Sequence, residues 1–134
     1  MQNHSARNSL RLRTLWLCAG WALLLLIVYL SLTPRPIPLP GEHGDKFGHL
    51  CAYAALMLWF AQPYAGASAR WLLAGAFVAL GVGLEFAQLL TDSRTFDPGD
   101  MVANALGVAI GWLAAPPRSI NVLRWMDAAI AGTH

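Results

Sequence analysis

Charge is scarce in this sequence. Only 12% of its 134 residues are Asp, Glu, Lys or Arg, against 57% that are hydrophobic, and the mean hydropathy is +0.48. A water-soluble domain carries roughly 25% charged residues, and so short a chain has a large surface to cover with polar groups. Water is therefore excluded as the main solvent. One membrane domain is expected, with no room for a second folded unit. Cysteine is nearly absent as well. Cys18 and Cys51 both sit in apolar stretches, near the starts of two segments that antiparallel threading places at opposite membrane depths. Pairing is thereby excluded, and both read as small apolar fillers that say nothing about redox compartment.

Also missing are a Gly-rich loop that could cradle phosphates, a defensible Ser-His-Asp spacing, an H-E-x-x-H metal motif and a basic patch for nucleic acid. Nothing in the sequence names a cofactor, a resident metal or a nucleic-acid partner. Long apolar runs, by contrast, are plentiful. Arg7, Arg11 and Arg13 precede the first of them, as basic residues precede a secretory signal. Yet the uncharged stretch 14–34 is about 20 residues long, enough to span ~30 Å of hydrocarbon, and no A-x-A-like cleavage site follows it. Leu17 also stands before Cys18, where a lipoprotein signal needs a small residue. The segment reads as a retained anchor.

The pattern predicts an all-α polytopic membrane protein: one bundle of about four transmembrane helices, near 15–32, 47–64, 71–90 and 101–115. The fourth is short, so it either begins within the preceding loop or leaves the bilayer locally thin. Beyond it, Arg118, Asn121, Arg124 and Asp127 recur every third residue, with Val122, Leu123, Met126 and Ile130 on the other side. An amphipathic helix lying on the inner surface over 118–130 is the expectation, and a frayed tail is the alternative. Orientation follows from Lys and Arg in short loops. With the N-terminus inside, Arg7, Arg11, Arg13, Arg70, Arg118 and Arg124 lie on the inner side and Arg35, Lys46 and Arg94 on the outer. The count favours N-in and C-in.

A charged group in hydrocarbon costs ~2.5–3.5 kcal/mol even on the gentler insertion scales, so polar residues in these segments need a reason. Asp45, Lys46 and His49 open the second segment, and Glu85 and Gln88 close the third. Arg94, Asp97 and Asp100 fill the next loop, and Asn104 lies one turn into the fourth segment. Antiparallel threading gathers all of them at one face, the outer one by charge count. The opposite ends carry little comparable chemistry beyond Arg70. Asp45, His49 and Tyr53 share a helical face, as do Glu85 and Gln88. Asp100, Asn104, Gly107 and Gly111 form one stripe, whose G-x-x-x-G half admits close approach by another helix, of the same chain or of a second copy. Gly81 continues the Glu85 face.

Two readings of the cluster stand side by side. In the chemical one, His49 and Glu85 are the catalytic acid–base candidates, and Lys46 and Arg94 hold a phosphate oxygen. Asp45, Gln88, Asp97, Asp100 and Asn104 then bind or orient, and a lipid head-group phosphate lies at the right depth. Asp45, Glu85 and Asp100 with His49 also offer donors that suit a divalent metal, although no ligand motif supports one. In the structural reading, Glu85 pairs with Arg94 or Lys46 while Asn104 and Gln88 tie helices together. The protein is then a scaffold or accessory subunit. Ion passage is poorly supported, because the polar residues occupy one face and do not cross the bilayer. Trp16, Tyr29, Trp59, Tyr64, Trp71 and Trp112 fit interfacial belts or packing. His4 and His134 are terminal, and His43, beside Asp45, either extends the site or falls in a solvated loop, the latter being expected.

The run Asp45-Lys46-Phe47-Gly48-His49-Leu50-Cys51-Ala52-Tyr53 resembles the D-K-x-x-H-x-x-x-[YF] opening of the VanZ-like family. Gly83-Leu84-Glu85-Phe86-Ala87-Gln88 continues the resemblance, followed by Arg94, Asp97, Asp100-Met101-Val102-Ala103-Asn104 and Gly107. The match runs from Asp45 to Gly111. It implies a multi-pass protein of the bacterial cytoplasmic membrane with about four helices. The named member of that family is linked to low-level resistance to teicoplanin-type glycopeptides, and the resemblance supplies no catalytic roles. Together with the cluster, it leads us to expect an outer-facing polar pocket that binds or acts on a lipid-linked or phosphate-bearing envelope molecule, surrounded by membrane lipids.

Overall fold

A computed structural model describes residues 10–132; His4, Arg7 and His134 lie outside them. The described residues form five helices and no strand: α1 (Arg13–Leu32), α2 (Gly44–Phe60), α3 (Ala67–Gln88), α4 (Pro98–Ala114) and α5 (Val122–Ile130). The expected all-helical fold is present. α1 and α3, with 20 and 22 residues, are long and apolar enough to cross a membrane, whereas α2 and α4 have 17 each.

The helix boundaries differ from those read off the apolar runs, and at the starts of α4 and α5 side-chain caps set them. α4 starts at Pro98, ahead of 101: the Asp97 side chain accepts the Gly99 N–H at 2.7 Å, and a proline at the first helical position has no N–H to leave unpaired. α2 takes Asp45 and Lys46 into its first turn and ends four residues before 64, where Pro63 disfavours further helix. α3 begins at 67, not 71. α5 begins only at Val122, with the Asn121 side chain accepting the Arg124 N–H at 3.0 Å.

α2 is the central helix, in contact with α1, α3 and α4, and its contact with α4 is the most extensive in the fold. Glycine makes that contact possible. A Cβ on Gly107 would collide with the Leu50 carbonyl oxygen, and one on Gly111 would lie 2.5 Å from that of Ala54. Because the partners advance along both helices together, α2 and α4 run parallel. α3 runs antiparallel to α4, with Gly81 facing Asn104 near one end and Trp71 packed edge-on against Trp112 near the other, at 4.4 Å between ring centroids. The G-x-x-x-G stripe is thus filled by a helix of the same chain. Tyr53, Leu56, Met57, Phe60, Phe77, Val108 and Ile27 form the main core. Cys18 and Cys51 are free and exposed, so they lie outside that packing.

One end gathers the α1 and α3 C-termini with the α2 and α4 N-termini. The other end was expected to carry little beyond Arg70, and that expectation fails. Arg70 is buried and donates to the carbonyls of Ala61 (2.9 Å) and Tyr64 (3.2 Å). Gln62 accepts the Leu123 N–H at 2.8 Å. Asp127, expected on the solvent face of the C-terminal helix, is instead 5% exposed. Its carboxylate accepts the backbone N–H groups of Arg11 and Leu12, both at 2.8 Å, and the Trp16 indole at 3.0 Å. The reason is that α1 has no side-chain cap of its own, and a carboxylate is favoured at the positive end of a helix. Leu123 and Met126 pack around Leu10 and Trp16, so α5 is docked, not frayed, while Val122, Trp125 and Ile130 stay exposed.

Two outcomes follow for detergent-solubilised protein. Gly107→Ala should cost about 1–3 kcal/mol by overpacking, whereas Gly75→Ala, with nothing within 4 Å of its Cβ, should be neutral or stabilising by up to ~1 kcal/mol. Thermal unfolding followed by circular dichroism compares them, and equal losses would refute the packing argument. Asp127→Ala should cost about 2 kcal/mol by stranding three donors. Burial pushes the Asp127 carboxyl up, but the N–H groups of Leu12 and Arg11 and the Trp16 indole outweigh it and hold the group below its ordinary range. Its contribution is therefore whole above the ordinary carboxylate value of ~3.9 and fades as pH falls through the lower folded-state value. On acidification from about pH 5 to about 2, the wild type should lose stability that Asp127→Asn does not.

Candidate functional site

At the end opposite α5, a cavity of ≈ 700 Å³ opens between α1, α2, α4 and the two loops that follow α1 and α3. Ile27 and Leu30 of α1 and Pro36, Ile37 and Leu39 of the first loop give it apolar walls. Asp45, Lys46, His49, Gln88, Arg94, Asp97 and Asp100 give it a polar side. Leu39 is laid against α2 over two glycines: a Cβ on Gly44 would lie 2.7 Å from the Leu39 carbonyl oxygen, and one on Gly48 2.6 Å from its Cδ1.

Six of the expected site residues come together. Lys46 pairs with Asp97 and, at 3.3 Å, with Asp100 Oδ1. The other Asp100 oxygen lies 3.5 Å from His49 Nε2. His49 Nδ1 is 2.9 Å from Asn104 Oδ1, so it carries the proton and donates. Asn104, 2% exposed, lies against the bare backbone of Gly81. Glu85 is 1% exposed; one carboxylate oxygen accepts the Asp97 N–H at 3.4 Å, and Oε1 has no partner. The Lys46 ion pair, followed by the Gly99 N–H, holds the Asp97 carboxyl below the usual range.

The remaining expected residues sit apart from this group. Asp45 is exposed and borders the cavity without joining the inner set. Gln88 donates to the Ser31 carbonyl at 3.0 Å. Arg94 donates to the carbonyls of Leu30 at 2.5 Å and Thr33 at 3.3 Å, where its charge meets the negative end of α1. The expected pairing of Glu85 with Arg94 or Lys46 is absent, because Arg94 serves α1 and Lys46 serves the two aspartates. The apolar walls from α1 carried no signal in the sequence: in an apolar run, the residues facing a cavity look like those facing lipid. The Tyr53 hydroxyl, buried and also without a partner, was placed on the His49 face without a role.

His49, Glu85 and Asp100 each present a ligand-type atom, all within 4.8 Å of one another. They arrive from α2, α3 and α4, which is why no local motif announces them. An all-helical protein with an acidic pocket at one end is the class that fold and site define. A family model described as VanZ/LLP1 matches residues 5–122. The chain belongs to the VanZ/LLP1 family, and the match extends well beyond Asp45 to Gly111. Comparison with curated proteins and with solved structures gave no match.

Proposed function

We propose that this VanZ-family protein spans the bacterial cytoplasmic membrane four times, N-in and C-in, and uses its cavity to bind an amphiphile with a phosphate-bearing or otherwise polar head in the outer leaflet. The observation that carries the reading is the cavity's division: apolar walls from α1 and the proline-rich loop, and charged side chains at the helix ends. The outer surface supports the spans. Leu25, Leu26 and Tyr29 of α1 and Val102, Leu106, Ile110 and Leu113 of α4 are exposed, and unburied apolar stripes of this kind suit lipid. At ~1.5 Å per residue, α2 and α4 rise about 26 Å, enough for a locally thin bilayer. Glycopeptide susceptibility is the phenotype that sequestering a lipid-linked envelope precursor would alter.

The catalytic version, with His49 and Glu85 exchanging a proton with the bound molecule, is retained as a proposal within this reading. Arg94 is the weaker half of the phosphate clamp, since its donors are engaged with α1. The scaffold reading draws support from the same bonds of Gln88 and Arg94, which tie α3 and its loop to α1.

Native mass spectrometry of protein purified in mild detergent tests the binding. The wild type should retain a phosphate-bearing amphiphile that both Ala52→Trp, which fills the cavity, and His49→Ala lose; an identical lipid complement in all three refutes the reading. Orientation is tested in intact cells after Cys18 and Cys51 are replaced by Ser. A membrane-impermeant maleimide should label Glu42→Cys and spare Ser119→Cys, and the reverse pattern would invert the assignment.

A further inference from the structure

We propose that His49, Glu85 and Asp100 hold a divalent transition-metal cation of the Mn²⁺ or Zn²⁺ class at the floor of the cavity. Three independent features of the site point to it. The first is the donor set: one imidazole and two carboxylates within 4.8 Å, a mixture that suits these ions better than an all-oxygen site built for Ca²⁺ or Mg²⁺. His49 Nε2 and Asp100 Oδ2, 3.5 Å apart, are already close to the separation of ~3.4 Å that two tetrahedral ligands ~2.1 Å from one ion show.

The second is the orientation of the imidazole. His49 Nδ1 lies 2.9 Å from Asn104 Oδ1, which leaves Nε2 as the ring nitrogen that faces the two carboxylates. A metal-binding histidine is usually held in this way, its other nitrogen donating to a fixed acceptor. Asn104 is itself fixed by burial and by Gly81, where even a Cβ would come within 2.8 Å of its amide nitrogen.

The third is an unmet demand for positive charge. Glu85 is 1% exposed and its Oε1 accepts no hydrogen bond. A buried carboxylate oxygen left without a partner is costly. Among the described residues that line the cavity and its floor, the carboxyl groups of Asp45, Glu85, Asp97 and Asp100 outnumber the cations Lys46 and Arg94 by two. One divalent cation would balance that excess with all four ionised. Its remaining coordination positions would face the cavity, where a phosphate oxygen of the proposed amphiphile could bind. That last step rests on the proposed function; the ion site does not.

The test uses the metal alone. Full-length, tag-free protein in detergent, stripped with chelator, is titrated with MnCl₂ or ZnCl₂ by calorimetry, and bound metal is counted by elemental analysis after dialysis. One saturable ion per chain is expected. Glu85→Gln and Asp100→Asn should raise its dissociation constant at least tenfold, and Asn104→Ala roughly ten- to a hundredfold by freeing the imidazole. Asp127→Asn, at the far end of the fold, should bind as the wild type does. Absence of saturable binding to the wild type overturns the proposal, as does equal binding by Glu85→Gln. Should Glu85→Gln fail to fold, as judged by its helical signal, His49→Ala and Asn104→Ala decide on the same criteria. Because no lipid is added and the metal itself is counted, loss of metal binding here and loss of the co-purifying amphiphile above are separate results.

Discussion

The polar end of this protein depends on how closely α2 and α4 approach. Two parallel helices can place His49 beside Asn104 and Lys46 beside Asp97 and Asp100 only if their backbones nearly touch. Gly107 and Gly111 permit this by presenting no side chain to the carbonyls of Leu50 and Ala54. Between apolar helices in lipid, such packing substitutes for the hydrophobic drive that water would supply. Wider spacing would leave the same charged groups without partners, at a cost the bundle could not absorb.

Within that frame the side chains divide into two kinds. Gln88 and Arg94 spend their donors on α1 carbonyls, which orders the rim and fixes the cavity wall. Glu85, Asp100 and His49 keep unspent capacity. Among the described residues, both orphaned buried side-chain oxygens, Glu85 Oε1 and the Tyr53 hydroxyl, lie on the helix faces beneath this cavity, so unspent polar capacity is concentrated at this end of the fold.

Much of this was legible in the sequence, for a physical reason. Charges in apolar runs are expensive enough that their positions report helix ends, and antiparallel threading then brings Lys46, His49, Glu85, Asp100 and Asn104 to one face. The stripe from Asp100 to Gly111 likewise announced a close helix contact, though not its partner. What escaped reading depended on information that periodicity lacks. Caps moved the helix ends, since Asp97 and Pro98 extend α4 outside its apolar run. Partner choice among charges was misjudged because backbone carbonyls, invisible in a list of side chains, captured Arg94. Asp127 was misassigned for the same reason: its partners are N–H groups of Arg11 and Leu12, far away in sequence.

The bond set of Asp127 also bears on how the chain assembles. Translation delivers α1 first, while the carboxylate that accepts the N–H groups of Arg11 and Leu12, just ahead of it, follows more than a hundred residues later. Trp59, Gln88 and Arg94, all made before α5, hold carbonyls along and after the first helix, but the chain at its leading end has no acceptor until α5 emerges. The C-terminal helix is therefore a latch on that end alone, and the first helix to be made is the last to have its leading end satisfied.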